Sequence, residues 1–289
     1  MRKFNIAGPC NSTEHYMIDS STRLQGVEQL IDDKEYFVIH AARQSGKTTY
    51  LHDLTAKLNT EGKYYALYCS LESVQGISDP KDGIPAIISC IKSHLRFSTL
   101  PHKNKFAEDA DLTDYVSVLR TSLTLYRMEL DKPLVIFFDE ADCLSDDTLI
   151  LFLRQLRNGY NERANVPFIH SVALVGMRNI RDFKAKVRPN SETLGDASPF
   201  NIVTESLTLK NFNDKEIIQL YQQHTDETGQ KFESDAIELV YEQTQGQPWL
   251  VNAIAREVIV KLLQGDYARP VTVDLVKEAI QNIILNRPT

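Results

Sequence analysis

Five apolar runs, rich in β-branched and aromatic residues, recur along the chain at 36–40 (YFVIH), 64–70 (YYALYCS), 134–138 (LVIFF), 168–175 (FIHSVALV) and 201–208 (NIVTESLT). The runs are nearly unbroken rather than alternating. A strand that is apolar on both faces has to be covered on both faces. Helix-like stretches at 47–60, 84–96, 113–129 and 145–160 lie between them. Strand alternating with helix predicts an α/β fold built on a parallel sheet with helices on each side. The 289 residues, 42 % of them apolar, are enough to bury such a sheet.

Local signals mark several boundaries. Ser145 is placed to cap the helix at 145–160, with Asp146 and Asp147 at its positive end. Residues 97–113, polar and broken by Pro101, read as a surface loop or insertion. After about residue 209 the strands stop. Asn213 with Glu216 forms a capping-box pattern. Further helices are expected from Ser234 to before Gly246, from Pro248 to before Gly265, and from Thr272 onward. The expected division is an α/β core over 1–208 and an all-helical subdomain over 209–289.

The first run leads into Ala41-Ala42-Arg43-Gln44-Ser45-Gly46-Lys47-Thr48. The P-loop pattern is Gly, four residues, then Gly-Lys-Ser/Thr, and only its opening Gly is replaced here, by Ala41. The chemistry needs backbone N–H groups aimed at phosphate oxygens at the positive end of a helix. Gly46 allows close approach, Lys47 reaches the β and γ phosphates, and the Thr48 hydroxyl is the metal-side ligand. Ala42, Arg43, Gln44, Ser45 and Thr49 complete the candidate nucleotide contacts. The plainer alternative is a Gly-containing turn with a chance lysine.

The second half of the pattern is LVIFFDEAD (134–142). Asp139 emerges at the end of a buried strand, where an acid holds the Mg²⁺ shell. Glu140, beside it, is positioned to polarise a water for attack on the γ phosphate. An exposed Asp-Glu turn after a strand is the competing reading. Both motifs, in this order and each at a strand end, favour a site for a nucleoside triphosphate and Mg²⁺.

Other chemistries find less support. The formal net charge is −7, against a broad phosphate-binding basic face. No apolar run approaches a membrane span and the N-terminus has no signal-like segment, so a soluble, cytoplasmic chain is expected. Cys10, Cys69, Cys90 and Cys143 are scattered without a CxxC pair and read as reduced structural thiols. His40, His170 and His224 have no partner at ligand or nucleophile spacing and read as structural.

The adjacent Asp139-Glu140 after an apolar strand resembles the additional-strand class of P-loop NTPases, which includes the AAA+ and STAND ATPases. Met177-Arg178-Asn179 follows the strand 170–176, where such proteins place a residue that senses the γ phosphate. Arg178 matches that role best, with Asn179 as its rival. Gly246-Gln247-Pro248-Trp249 resembles the Gly-x-Pro element that STAND-type ATPases place near adenine, which implicates Pro248. Together with FNIAGPC, HYMID, SPFNIVTESLTL and TQGQPWLVNAIARE, these stretches are similar to the prokaryotic AAA-like domain ATP-binding proteins, near the origin-recognition group. The resemblance covers nearly the whole chain. It implies a core with a helical lid, ATP and Mg²⁺ as ligands, ATP hydrolysis used for regulation or signalling, and an N-terminal segment (1–30) folded over the base. In that segment His15, Tyr16 and Met17 offer adenine contacts, with packing against the core as the alternative.

The resemblance also implies a protein partner or a homo-oligomer, with Arg157, Arg163, Arg181 and Arg188 as candidates for an arginine donated to a neighbour's site. Members tend to be longer, so a C-terminal output region is expected beyond ILNRPT. Two other functions fit the same motifs. One is a nucleotide-binding switch or scaffold with negligible turnover. The other is a DNA-associated ATPase of the origin-recognition kind, which the acidic balance disfavours.

Overall fold

The computed structural model describes residues 1–19, 23–177 and 202–285. They form two compact units. One comprises Leu24–Ala41 and Leu51–Thr208, and the other Met1–Arg23, Ala42–Tyr50 and Leu209–Thr289.

The first unit is built on five parallel strands: β1 (Tyr36–His40), β2 (Tyr65–Ser70), β3 (Leu134–Asp139), β4 (Ser171–Gly176) and β5 (Glu205–Thr208). Their spatial order is β2-β3-β4-β1-β5. β4 therefore lies between β1 and β3, as the additional-strand class requires, and the fold is an α/β P-loop NTPase fold. Register is set by pairs such as Val38 with Leu174 and Ile136 with Val172. Every residue of β3 and β4 is buried, which is why those runs show no alternation. The edge strand β5 is exposed at both ends. His40, at the end of β1, bonds Ser206 Oγ and Thr208 Oγ1 at 3.2 and 2.9 Å and so fastens that edge.

Helices cover the sheet: α1 (Val27–Asp32), α2 (Lys47–Glu61, which begins in the other unit), α3 (Pro80–Phe97), α4 (Val118–Met128) and α5 (Asp146–Glu162). Phe138 meets Phe152 of α5 edge-on at 5.2 Å, and both are fully buried. Each such ring contributes about 1.5–3 kcal/mol by leaving water.

Two helix starts and two further features differ from the sequence reading. α3 starts at Pro80 rather than 84, because Asp79 caps it by accepting the Lys81 N–H at 2.9 Å. α4 starts at Val118 rather than 113, because the Asp111 carboxylate takes the N–H and the hydroxyl of Thr113 into a turn. Ser145 occupies the cap position of α5 but makes no side-chain capping bond. The stretch 97–113 is not merely a surface loop: Leu100 and Phe106 are buried in the sheet's core, with Phe106 edge-on to Tyr126 at 5.9 Å.

The second unit contains α6 (Asp214–Thr228), α7 (Ser234–Thr244), α8 (Pro248–Arg256, extended by a π-helical turn over Glu257–Leu262) and α9 (Val273–Leu285). Asn213 and Glu216 form the full capping box at the start of α6. Gly229, at φ 79°, closes the other end. The helices share a core with the N-terminal segment, where Phe4 and Tyr16 pack with Tyr221, Val251 and Ala279.

Candidate nucleotide-binding site

The loop after β1 is shaped by two left-handed residues, Gln44 at φ 58° and Gly46 at φ 86°. A non-glycine residue in that region costs of the order of 1 kcal/mol or more, which marks Gln44 as a position held by its surroundings. The N–H groups of Gln44, Ser45 and Gly46 meet no acceptor among the described residues. The Ser45 hydroxyl is buried and also lacks a protein partner. Lys47 is buried, and its Nζ donates to the Ala42 carbonyl at 3.2 Å. A row of unsatisfied donors with a lysine at its end, leading into α2, is what a chain of phosphates requires.

Two side chains that the sequence reading missed touch this loop. Arg23 is buried and lies over the Phe212 ring at 4.8 Å. Its Nη2 donates to the Ser45 carbonyl at 2.8 Å, and its Nε and Nη2 donate to the Lys210 carbonyl at 2.9 and 2.6 Å. Burial pushes its pKa down to about 10, partly offset by nearby Glu216. Gln247 caps α8 by accepting the Leu250 N–H at 2.6 Å. Its Nε2 donates to the Arg43 and Gln44 carbonyls at 3.2 and 3.3 Å. No pattern marks Arg23, and Gln247 lies within Gly246-Gln247-Pro248-Trp249, where the resemblance implicated only Pro248.

The other nucleotide candidates from the sequence fall as follows. The Thr49 hydroxyl accepts the Cys10 N–H at 3.0 Å, so the N-terminal segment uses it. Pro248 is buried in the first turn of α8, and its carbonyl accepts from Asn252 at 2.8 Å. Tyr16 is a correction. It is fully buried, its ring lies 4.8 Å from Phe4, and its hydroxyl is 3.2 Å from His224 Nδ1. A ring enclosed by core neighbours offers no face to a base. The N-terminal segment packs into the helical core instead, fastened also by Trp249 Nε1 donating to the Ile6 carbonyl at 2.9 Å.

The acidic pair sits in the other unit. Asp139 is buried at the end of β3, where one oxygen accepts the Glu140 N–H at 2.9 Å and the other the Tyr68 hydroxyl at 3.2 Å. Burial, then the Asp139 charge, raises the Tyr68 pKa. The His52 ring packs on Tyr68 at 4.4 Å, and burial lowers its pKa against the pull of Asp139. Glu140 is half-buried and left-handed at φ 55°, a strained turn that sets its direction. Among the described residues no group of three or more His, Cys, Asp or Glu could hold a metal by itself. Mg²⁺ does not need one, because it is usually held by one or two carboxylates plus phosphates and water.

Arg178 and Asn179, the sensor candidates, lie outside the described residues, as do Arg181 and Arg188. Arg163 is engaged within its own chain: it lies 3.7 Å from the Tyr160 ring centroid, and Nη1 donates to the Lys34 carbonyl at 2.6 Å. Arg157 is half-buried on α5. No described helix is long and apolar enough to cross a membrane.

Comparison with known proteins places this geometry. No curated protein matches the sequence. Among solved structures the chain is similar to a Walker-type ATPase of Pyrococcus abyssi, with 17 % identity and a TM-score of 0.62 over 98 % of this chain and 77 % of that one. It is also similar to the Cdc6p protein of Pyrobaculum aerophilum, with 14 % identity and a TM-score of 0.58 over 94 % of this chain and 73 % of that one. The ORC2 protein of Aeropyrum pernix, in ADPNP-ADP complexes, shows 16 % identity and a TM-score of 0.53 over 88 % of this chain and 64 % of its own. At these identities the likeness is one of fold. The family assignment rests on the sequence itself, since residues 7–266 match the AAA-like domain model, and the chain belongs to that family.

Proposed function

We propose that this protein is a Mg²⁺-dependent P-loop ATPase, acting in the cytoplasm, that couples its nucleotide state to movement of a helical lid (209–289) against a core (1–208). The movement would be read by a protein partner or by further copies of the chain in a regulatory or signalling role. The observation that carries the reading is the row of acceptor-free N–H groups at Gln44, Ser45 and Gly46, closed by buried Lys47. Membership of the AAA-like family and the nucleotide analogue bound by the similar ORC2 protein support ATP as the ligand.

In this reading the loop N–H groups and Lys47 bind and orient the phosphates. Thr48 and Asp139 would hold Mg²⁺, which supplies charge neutralisation at the β and γ phosphates when bound. Glu140 orients a water and takes its proton as the oxygen attacks the γ phosphorus. The bond to the bridging oxygen breaks, and ADP and phosphate leave. Arg178 is the group proposed to meet the charge that develops on the γ phosphate.

The test compares ATP binding and turnover in wild type, Lys47→Ala and Glu140→Gln. Lys47→Ala should lose binding. Glu140→Gln should bind ATP and lose turnover by about 100-fold or more. Equal turnover in wild type and Glu140→Gln would remove Glu140 from this role. Binding without turnover in wild type would favour a nucleotide switch.

A further inference from the structure

The contacts behind the loop bear on how it holds phosphate. Three consecutive carbonyls, of Arg43, Gln44 and Ser45, receive side-chain donors: Gln247 serves the first two and Arg23 the third. None of the peptide bonds among the described residues is cis. In a trans peptide the C=O and the following N–H point in opposite directions. Fixing those three carbonyls on one side therefore fixes the N–H groups of Gln44, Ser45 and Gly46 on the other. All three of these N–H groups meet no acceptor among the described residues.

We propose that Gln247 and Arg23 are positioning residues that hold the loop from behind, so that its N–H groups stand aligned for phosphate before any nucleotide arrives. The inference rests on reading Ala42–Thr48 as a phosphate site and adds which residues set its affinity. Gln247 is suited to this because both ends of its amide are used. The oxygen caps α8 and the nitrogen grips the loop. Arg23 is suited because its fork spans Ser45 of the loop and Lys210, four residues before α6. Its Nη1 also stands 3.5 Å from where a Gly46 Cβ would lie, so it backs the glycine directly. Phosphate affinity is in this way tied to the start of α8 and to the strand of chain entering α6.

The competing explanation is that Gln247 only caps its helix. Gln247→Ser separates the two, because serine is a favoured neutral cap and is too short to reach the loop. Binding is measured with two probes, ATP and inorganic tripolyphosphate, alongside the melting temperature. The expected result is about tenfold weaker binding of both probes at an unchanged melting temperature, the scale of one well-placed hydrogen bond lost. Arg23→Lys, which keeps the charge but not the fork, should lower both affinities in equal proportion, and it decides the matter if Gln247→Ser does not fold. Wild-type affinity in both variants would overturn the proposal. A loss confined to ATP would also overturn it, since that would put Gln247 on the side of the base. Failure of the wild-type chain to bind either probe would bring down the phosphate reading itself, and the wild-type arm alone shows it.

Discussion

Asp142 accepts the backbone N–H of Met177 at 2.9 Å and so ties the turn after β3 to the end of β4. Its other oxygen is buried and pressed against Gly176, where an added Cβ would lie 2.5 Å from Oδ1. Alanine at 176 has to displace the Asp142 carboxylate that holds the Met177 N–H. Gly176→Ala should therefore destabilise the fold by about 1–3 kcal/mol, read as a lower urea midpoint. Adding Asp142→Ala should return part of that loss, because it removes the clashing carboxylate. Additive losses in the double variant would place the strain elsewhere.

Gly246 is held more tightly still. It has φ 70°, its carbonyl accepts the Phe212 N–H at 2.9 Å, and an added Cβ would lie 1.7 Å from the Phe212 carbonyl oxygen. Gly246→Ala has to break that contact and adopt a strained backbone, at a cost of about 2–4 kcal/mol. Thermal unfolding should show the loss as a melting temperature lower by several °C, and a value indistinguishable from wild type would refute it.

His224 makes the helical unit sensitive to acid. Gln230 uses its amide nitrogen on the Asp266 and Arg269 carbonyls, so its oxygen accepts from His224 Nε2 at 2.9 Å. Nδ1 is then the acceptor for Tyr16. Burial lowers the His224 pKa below its ordinary 6.5, although Gln230 and Glu227 pull upward. Below pH 6.5 the unfolded chain binds the proton first, so stability present above that pH is lost as pH falls. His224→Gln should flatten the fall in stability as pH drops below about 6.5. An unaltered slope would assign the effect to His52 and His170, whose pKa values burial also lowers.

Phe106 anchors the segment between α3 and α4. Its ring is fully buried, and the Tyr126 beside it donates to the Pro101 carbonyl at 2.9 Å. Phe106→Ala should cost about 3–5 kcal/mol. A cost under about 1 kcal/mol, typical of a surface site, would show that the segment contributes little to the core.

Asp139→Asn tests the metal role apart from binding. The amide oxygen can still accept the Glu140 N–H, while the NH2 that replaces the second carboxylate oxygen can donate to the Tyr68 hydroxyl instead. We expect ATP affinity measured in EDTA to be unchanged and the gain on adding Mg²⁺ to fall by about tenfold. A full Mg²⁺ response in the variant would exclude Asp139 as the metal-side acid.

Features with a local cause were legible in the sequence. The unbroken apolar run at 134–138 announced a strand buried on both faces, and β3 is buried throughout. Asn213 and Glu216 announced a capping box because the motif is completed within four residues. The starts of α3 and α4 were misplaced because apolar periodicity shows where a helix packs, whereas Asp79 and Asp111 decide where its first turn forms. The supports of the loop were hidden for another reason. Gln247 reaches Arg43 across 204 positions, and no spacing rule spans that distance. Tyr16 was misread because an aromatic near a candidate site looks the same in sequence whether it faces a ligand or a core.

The shared core of the N-terminal segment and the last helices has a consequence for synthesis. Phe4 and Tyr16 leave the ribosome before any strand of the sheet, while their neighbours Tyr221, Val251 and Ala279 leave only after the last of them. Chains emerge at about 5–20 residues per second, so those two rings wait some tens of seconds for their partners. The sheet, complete at Thr208, can close meanwhile. During that interval the N-terminal segment is an unpaired apolar strip on a nascent chain, and that is where a chaperone would be expected to bind.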